Sequence, residues 1–167
     1  MSELLLFTDG SVDNISKIGY GAYLLVASTE LALDELSSRI KVQRFEQTSS
    51  TRLELQTLLW ALGEIRTTEG NLTIFSDSQN IISLPGRRKK LEQYDYRTKQ
   101  NRQITNKQLY RDFFRLTDHV MCEFIKVRGH QPGQHKNSIE QIFALVDRAS
   151  RKALRKDNRS PGTAQDN

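Results

Sequence analysis

The 167-residue sequence predicts a single α/β domain, built on a mixed five-stranded sheet (three antiparallel strands, then two parallel) flanked by helices. Short apolar runs and helix-period segments alternate in the order β-β-β-α-β-α-α-β-α. The strand, helix, strand stretch in the middle calls for a parallel pair joined by a right-handed crossover. With 37% hydrophobic residues, the chain is long enough to bury one core, and its length favours one domain over two. The domain is expected over residues 1–156 and a disordered tail over 157–167, because Asn158-Arg159-Ser160-Pro161-Gly162-Thr163 has nothing to bury.

Leu4-Leu5-Leu6-Phe7 is an apolar run that stops at Thr8-Asp9-Gly10-Ser11, which predicts a buried strand leading into a turn. A second strand is expected over Gly19 to Ala27. A third, half-buried strand is expected over Arg39 to Phe45, where Ile40, Val42 and Phe45 are interleaved with polar residues. Ser49-Ser50-Thr51 then opens a helix in which Leu55, Leu58, Leu59, Leu62 and Ile65 recur at helix spacing until Glu69-Gly70-Asn71. Trp60 lies among these leucines and reads as core. Leu72 to Phe75 is a further strand, ending in Ser76-Asp77-Ser78, and a brief helix through Ile81, Ile82 and Leu84 is expected to stop at Pro85-Gly86. Arg87 to Asn106 has weak periodicity, compatible with a loop or a polar helix. A helix over Lys107 to Asp118, a last strand over Cys122 to Val127, a Gly129/Pro132/Gly133 loop and a helix from Ser138 to Arg155 complete the chain. Ile142, Phe143, Val146, Ala149 and Ala153 form the inward stripe of that final helix.

The formal net charge of +5 favours a polyanionic partner, and its distribution says more than its size. Gly86 to Arg115 holds ten Lys/Arg against three Asp/Glu, a local +7 that exceeds the charge of the whole chain. The single cysteine, Cys122, excludes an internal disulfide and a cysteine-rich zinc site, and in an apolar strand it reads as a buried inert thiol. No apolar stretch is long enough to span a bilayer, and Met1-Ser2-Glu3 lacks the positive start of a secretory signal. A soluble, monomeric, cytoplasmic protein is the expectation.

Four carboxylates stand where chemistry could gather. Asp9 and Asp77 each fall where an apolar strand gives way to a loop, so neighbouring strands would bring them together; a turn aspartate or a helix cap would explain each of them singly. Glu54 begins a helix, and Thr51-Arg52-Leu53-Glu54 also matches a capping box. Asp147, inside the last helix, could simply pair with Arg151. Converging carboxylates repel unless cations or raised pKa values intervene, and oxygen-only ligands select hard ions such as Mg²⁺, with Mn²⁺ as a substitute. Two such ions about 4 Å apart can clamp the attacking and leaving oxygens of an in-line phosphodiester displacement, chemistry that needs no covalent nucleophile.

These residues sit in motifs that resemble type 1 ribonuclease H. Phe7-Thr8-Asp9-Gly10-Ser11 with Gly19-Tyr20-Gly21-Ala22 is similar to the family's first two strands. Thr51-Arg52-Leu53-Glu54-Leu55 resembles its Asn-Arg-Met-Glu-Leu, and Ser76-Asp77-Ser78-Gln79 resembles its Thr-Asp-Ser-Gln. Val127-Arg128-Gly129-His130 resembles its Val-Lys-Gly-His, and Val146-Asp147-Arg148-Ala149 the stretch bearing its final aspartate. The resemblance runs from about Leu4 to Leu154 and rests on five motifs in the right order. It implies a ribonuclease H-like fold that hydrolyses the RNA strand of an RNA/DNA hybrid. It also implies metal ligation by Asp9, Glu54, Asp77 and Asp147, with two Mg²⁺ ions when substrate is bound, and a mobile catalytic histidine at His130, for which His135 could substitute. His119, at a helix end, reads as structural.

Gly10, Ser11 and Gln79 match positions near the hybrid in that family. Ser49-Ser50-Thr51 stands where relatives often carry asparagine or glutamine, which leaves the hydroxyls of Ser50 and Thr51 to face the RNA strand. Arg87, Arg88, Lys89 and Lys90 occupy the place of the family's substrate-binding handle and would contact phosphates without reading sequence, with Tyr94 and Tyr96 as its only aromatics. Two other readings differ in class. A non-catalytic nucleic-acid-binding module would use the basic segment alone. A 3′ to 5′ exonuclease would carry Asp-x-Glu in its first motif, where this chain has Asp9-Gly10-Ser11.

Overall fold

A computed structural model describes residues 3–27, 29, 31–65, 70–128 and 137–159. The described residues form β1 (Glu3–Asp13), β2 (Ile18–Val26), α1 (Leu33–Arg39), β3 (Lys41–Phe45), α2 (Ser50–Glu64), β4 (Asn71–Ser76), α3 (Gln79–Gln93), α4 (Lys107–Thr117), β5 (Cys122–Lys126) and α5 (Ser138–Arg159). The strands make one sheet in the order β3-β2-β1-β4-β5, antiparallel across the first three and parallel from β1 to β4 and β4 to β5. This is the mixed sheet expected from the sequence.

Strand alternation sends successive side chains to opposite faces, so two apolar layers arise from the same strands. Leu6, Tyr23, Leu72 and Ile74 pack with Leu55, Leu58 and Leu62 of α2, Ile81 and Leu84 of α3, and Phe113 and Phe114 of α4. Phe7, Ala22, Leu24 and Phe75 point the other way and meet Leu36 of α1 and Ile142, Phe143 and Val146 of α5. Trp60 lies at the margin of the first layer, edge-on to Tyr23 with ring centroids 4.7 Å apart, while its Nε1 donates to Glu64.

Several local expectations change once strands and helices find partners. The first strand does not stop before Asp9 but runs on to Asp13, because Asp9, Gly10 and Ser11 pair with Ala22, Gly21 and Tyr20 of β2. The chain between β2 and β3 is not a plain short link: it contains α1, anchored by the fully buried Leu36. β3 is an edge strand with Lys41 to Arg44 all exposed, so its polar and apolar alternation does not report a buried face. Pro85 does not end α3. Its missing N–H removes one rung of the helix, but Ile81 and Leu84 before it and Leu91 after it are held in the core layer, and Arg88 pairs with Glu92 one turn on. The basic segment is thus half helix; the remainder is a tight loop with a bridge between Arg97 and Gln103. α5 extends to Arg159, so residues 157–159, expected in the tail, are helical, and Asp157 accepts from the Tyr20 hydroxyl at 3.0 Å and from Arg44 Nε at 3.0 Å. Residues 160–167 lie outside the described residues.

α2 lies close on β2 because Gly21 has no side chain. A Cβ there would fall 2.1 Å from Thr57 Oγ1 and 2.9 Å from Thr57 Cβ, far inside contact distance. Since β-branched Thr57 cannot swing aside without moving the helix, Gly21→Ala should lower stability by about 1–3 kcal/mol, the usual cost of overpacking. Urea unfolding followed by circular dichroism would measure it, and an unchanged midpoint would mean that the helix shifts freely on the sheet.

Candidate active site

In the parallel pair β1/β4, Phe7 lies opposite Phe75, and their rings stack with centroids 4.8 Å apart. Two residues further along each chain come Asp9 and Asp77. Equal offsets from a register-matched pair bring both aspartates to the same end of neighbouring strands. Asp9 shares the face of Phe7, towards α5, and there it meets Asp147, whose carboxyl is hydrogen-bonded to it. Glu54 approaches from α2. Asp9, Glu54 and Asp77 border one small cavity together with Thr8, Thr57, Ser76 and Ile81. The four carboxylates singled out in the sequence therefore gather at the crossover end of the sheet.

Glu54 and Asp77 are released from the helix-cap roles that could have explained them. The cap of α2 is Ser49, whose Oγ accepts from the Arg52 N–H at 3.3 Å, so the capping box over Thr51 to Glu54 is not formed. The cap of α3 is Ser78, not Asp77. Ser78 acts twice, accepting from the Ile81 N–H and donating to Glu54 Oε2 at 2.6 Å. It thereby orients Glu54, a role that sequence reading missed; the Ser immediately after the aspartate, at a helix start, was the available signal. Asp147 does make its expected ion pair with Arg151 at 3.0 Å, in addition to its contact with Asp9.

The crowding has an electrostatic cost. Burial, then the charge of Asp77, then the hydrogen bond and charge of Asp147 push the Asp9 carboxyl up from 3.8 to about 9, against a single favourable N–H from Gly10. Burial and the charge of Asp77 also raise Glu54, offset in part by the Ser78 hydroxyl. Among the described residues no three Asp, Glu, His or Cys side chains form a ready-made cage for a cation. The donor set nevertheless fits a hard divalent ion, being all carboxylate oxygen, with Arg151 paired to Asp147.

The expected nucleic-acid contacts divide. Ser50 and Thr51 are exposed in the first turn of α2, beside Glu54. Ser11 Oγ is 2.9 Å from Ser150 Oγ of α5, and Gln79 Oε1 accepts from Lys126 Nζ at 2.8 Å. Gly10 has a packing reason of its own, since a Cβ there would lie 2.8 Å from Leu53 Cδ2. In the basic arm, Arg87 is bound to the backbone and side-chain oxygens of Asn80 and lies over the Tyr110 ring. Arg88 makes two bonds to Asp118 and one to Glu92. These two arginines build the arm, whereas Lys89 and Lys90 are exposed without an ion pair among the described residues. Tyr96, expected as a surface aromatic, is buried beneath Arg111, which leaves Tyr94, 56% exposed, as the arm's free ring. Arg52 Nη1 donates to Asn106 Oδ1 at 3.1 Å and ties the end of the arm to the turn of α2 that carries Glu54. His130 and His135 lie outside the described residues. His119 is exposed after the end of α4, its N–H bonded to the Leu116 carbonyl.

A family model described as RNase H matches residues 1–154. The ribonuclease H of Chlorobaculum parvum is 23% identical over 147 residues, spanning 86% of this chain and 94% of its own length. That of Acetivibrio thermocellus is 24% identical over 146 residues, spanning 85% and 92%, and that of Clostridium botulinum (strain Hall) is 24% identical over 145 residues, spanning 85% and 93%. The match takes in every strand of the sheet and all four clustered carboxylates, and on that ground the chain belongs to the RNase H family.

Proposed function

We propose that this protein is a ribonuclease H that hydrolyses the RNA strand of RNA/DNA hybrids with the help of divalent cations. The observation that carries the reading is the gathering of Asp9, Glu54, Asp77 and Asp147 at one end of the sheet, in a chain whose relatives bear the name ribonuclease H. Mg²⁺, or Mn²⁺ in its place, would be held by these carboxylates and would supply charge stabilisation for an in-line phosphodiester displacement, two ions acting when the hybrid is bound. Asp9 and Asp147 present oxygens from β1 and α5. Ser78 holds Glu54 by one oxygen, at the border of the cavity. Ser50 and Thr51, exposed in the same turn of α2, would meet ribose hydroxyls, and Gly10, Ser11 and Gln79 would lie near the hybrid, as their motifs suggest. Lys89 and Lys90 serve phosphates further out. We assign proton transfer or product release to His130 on the strength of its motif. No helix among the described residues is long and apolar enough to cross a membrane, and we place the protein in the cytoplasm as a monomer, with the Cys122 thiol kept protonated by burial.

The decisive measurement uses labelled RNA/DNA hybrid, double-stranded DNA, double-stranded RNA and single-stranded RNA, each with and without Mg²⁺. Endonucleolytic cutting of the hybrid's RNA strand is expected, and Asp9→Asn or Asp77→Asn should abolish it while hybrid binding persists. Binding without cutting in the unaltered protein would instead favour the non-catalytic module.

Asp9 also predicts a stability effect. Its folded pKa of about 9 lies above the ordinary 3.8, so the folded state binds the extra proton more tightly. The contribution of Asp9 to the stability of the metal-free protein is therefore fully present below about pH 4 and is lost as pH rises towards about 9. Asp9→Asn removes this loss and should stabilise the metal-free protein by about 1–3 kcal/mol at pH 8. Thermal unfolding in EDTA would show it, and a variant no more stable than the parent at pH 8 would contradict the crowding.

The arm yields a third expectation. Lys89→Gln with Lys90→Gln should lower the slope of log affinity against log salt by about 2 without changing stability. Arg88→Gln should instead act mainly by loosening α3 from Asp118.

A further inference from the structure

Thr57 lies one helical turn beyond Glu54 on α2 and is 1% exposed. Its Oγ1 has no hydrogen-bond partner among the described residues. Threonines inside helices commonly bond the carbonyl four residues back, and Thr57 does not. Its position borders the same cavity as Thr8, Asp9, Glu54, Ser76 and Asp77. The sheet has given up a side chain to admit it, since a Cβ at Gly21 would sit 2.1 Å from Oγ1. A buried hydroxyl left unpaired is destabilising, and valine has the same shape without that cost. The cavity has a free volume of about 10 Å³, at the lower bound of the roughly 10–15 Å³ that one water needs, and Asp9, Glu54 and Asp77 are among the residues that line it.

We propose that Thr57 is a positioning residue: its hydroxyl and one ordered water in this cavity form a hydrogen-bonded bridge to the Glu54 carboxylate. Ser78 holds that carboxylate from α3, and the Thr57 bridge holds it from within α2. Glu54 is thereby fixed between two supports before any cation arrives, the outer-shell arrangement that tunes a ligand's orientation. The inference rests on the reading of Glu54 as a cation ligand, but its structural half does not require nuclease activity.

The test compares Thr57→Val, which keeps the shape, with Thr57→Ser, which keeps the hydroxyl. High-resolution crystal structures of the parent and Thr57→Ser should show a water bonded to residue 57 and to Glu54, absent from Thr57→Val. Mg²⁺ titration without nucleic acid, followed by NMR at the Glu54 amide, should show about tenfold weaker binding in Thr57→Val and near-parental binding in Thr57→Ser. In hybrid cutting the Mg²⁺ requirement should rise by a similar factor while KM for the hybrid stays within about twofold. Thr57→Val should also unfold at lower urea than the parent. A dry cavity in the parent, or a Thr57→Val that is more stable with unchanged Mg²⁺ binding, would overturn the proposal by showing that the hydroxyl is simply an unpaired group. Failure of the parent to cut hybrid would count against the ribonuclease reading alone, because the crystallographic and NMR results still decide the role of Thr57.

Discussion

The parallel pairing of β1 with β4 determines where every other part of the candidate site must go. With Phe7 stacked on Phe75, a slip of one residue would turn Asp9 to the opposite face of the sheet and separate it from Asp147. The stack sits inside the α5-facing layer, among Ile142, Phe143 and Val146. The apolar contacts that hold α5 on the sheet therefore also set the height of Asp147. α2 is placed from the other side by the close approach of Thr57 to Gly21, and Glu54 follows from it. Four elements, β1, β4, α2 and α5, thus deliver carboxylates that would otherwise repel.

Charge is distributed unevenly between the site and the arm. In the arm, Arg88, Arg111 and Arg115 find Asp118, Asp95 and Asp112, so much of the local positive charge is spent within the fold. These exposed pairs contribute little stability individually, but they orient the helices that display Lys89 and Lys90. At the site the imbalance is the reverse: Asp9 is driven towards neutrality by burial and by its acidic neighbours, and Arg151 offers one opposing charge. A region that holds carboxylates together at a cost, beside a surface that offers cations to phosphates, is the electrostatic form expected where a protein handles divalent ions and nucleic acid together.

Much of this was legible in the sequence because the relevant signals are local. Apolar runs ending in Asp9 and Asp77, the leucine period from Leu55 to Leu62 and the stripe Ile142, Phe143, Val146 each follow from side-chain spacing alone. The order of these elements implied the mixed sheet, and the motifs surrounding four carboxylates implied the family. The misjudged features depended on partners distant in sequence. β1 continues past Asp9 because β2 is there to pair with it. α3 survives Pro85 because its neighbours hold Leu84 and Leu91, and Tyr96 is buried because Arg111 comes back over it.

The sequence by itself therefore determined the class of fold, the candidate carboxylates and the cationic character of the arm, since spacing, charge and residue type are properties of the chain. Only the tertiary structure decided that Glu54 and Asp77 are not the caps of their helices, that Ser49 and Ser78 take those roles, and that Ser78 reaches Glu54. It also decided which arm cations are already paired and that the buried Thr57 hydroxyl has no hydrogen-bond partner among the described residues. The physical reason is that a side chain's partner is set by competition among all groups within reach, and that competition is settled only when helices and sheet are packed together.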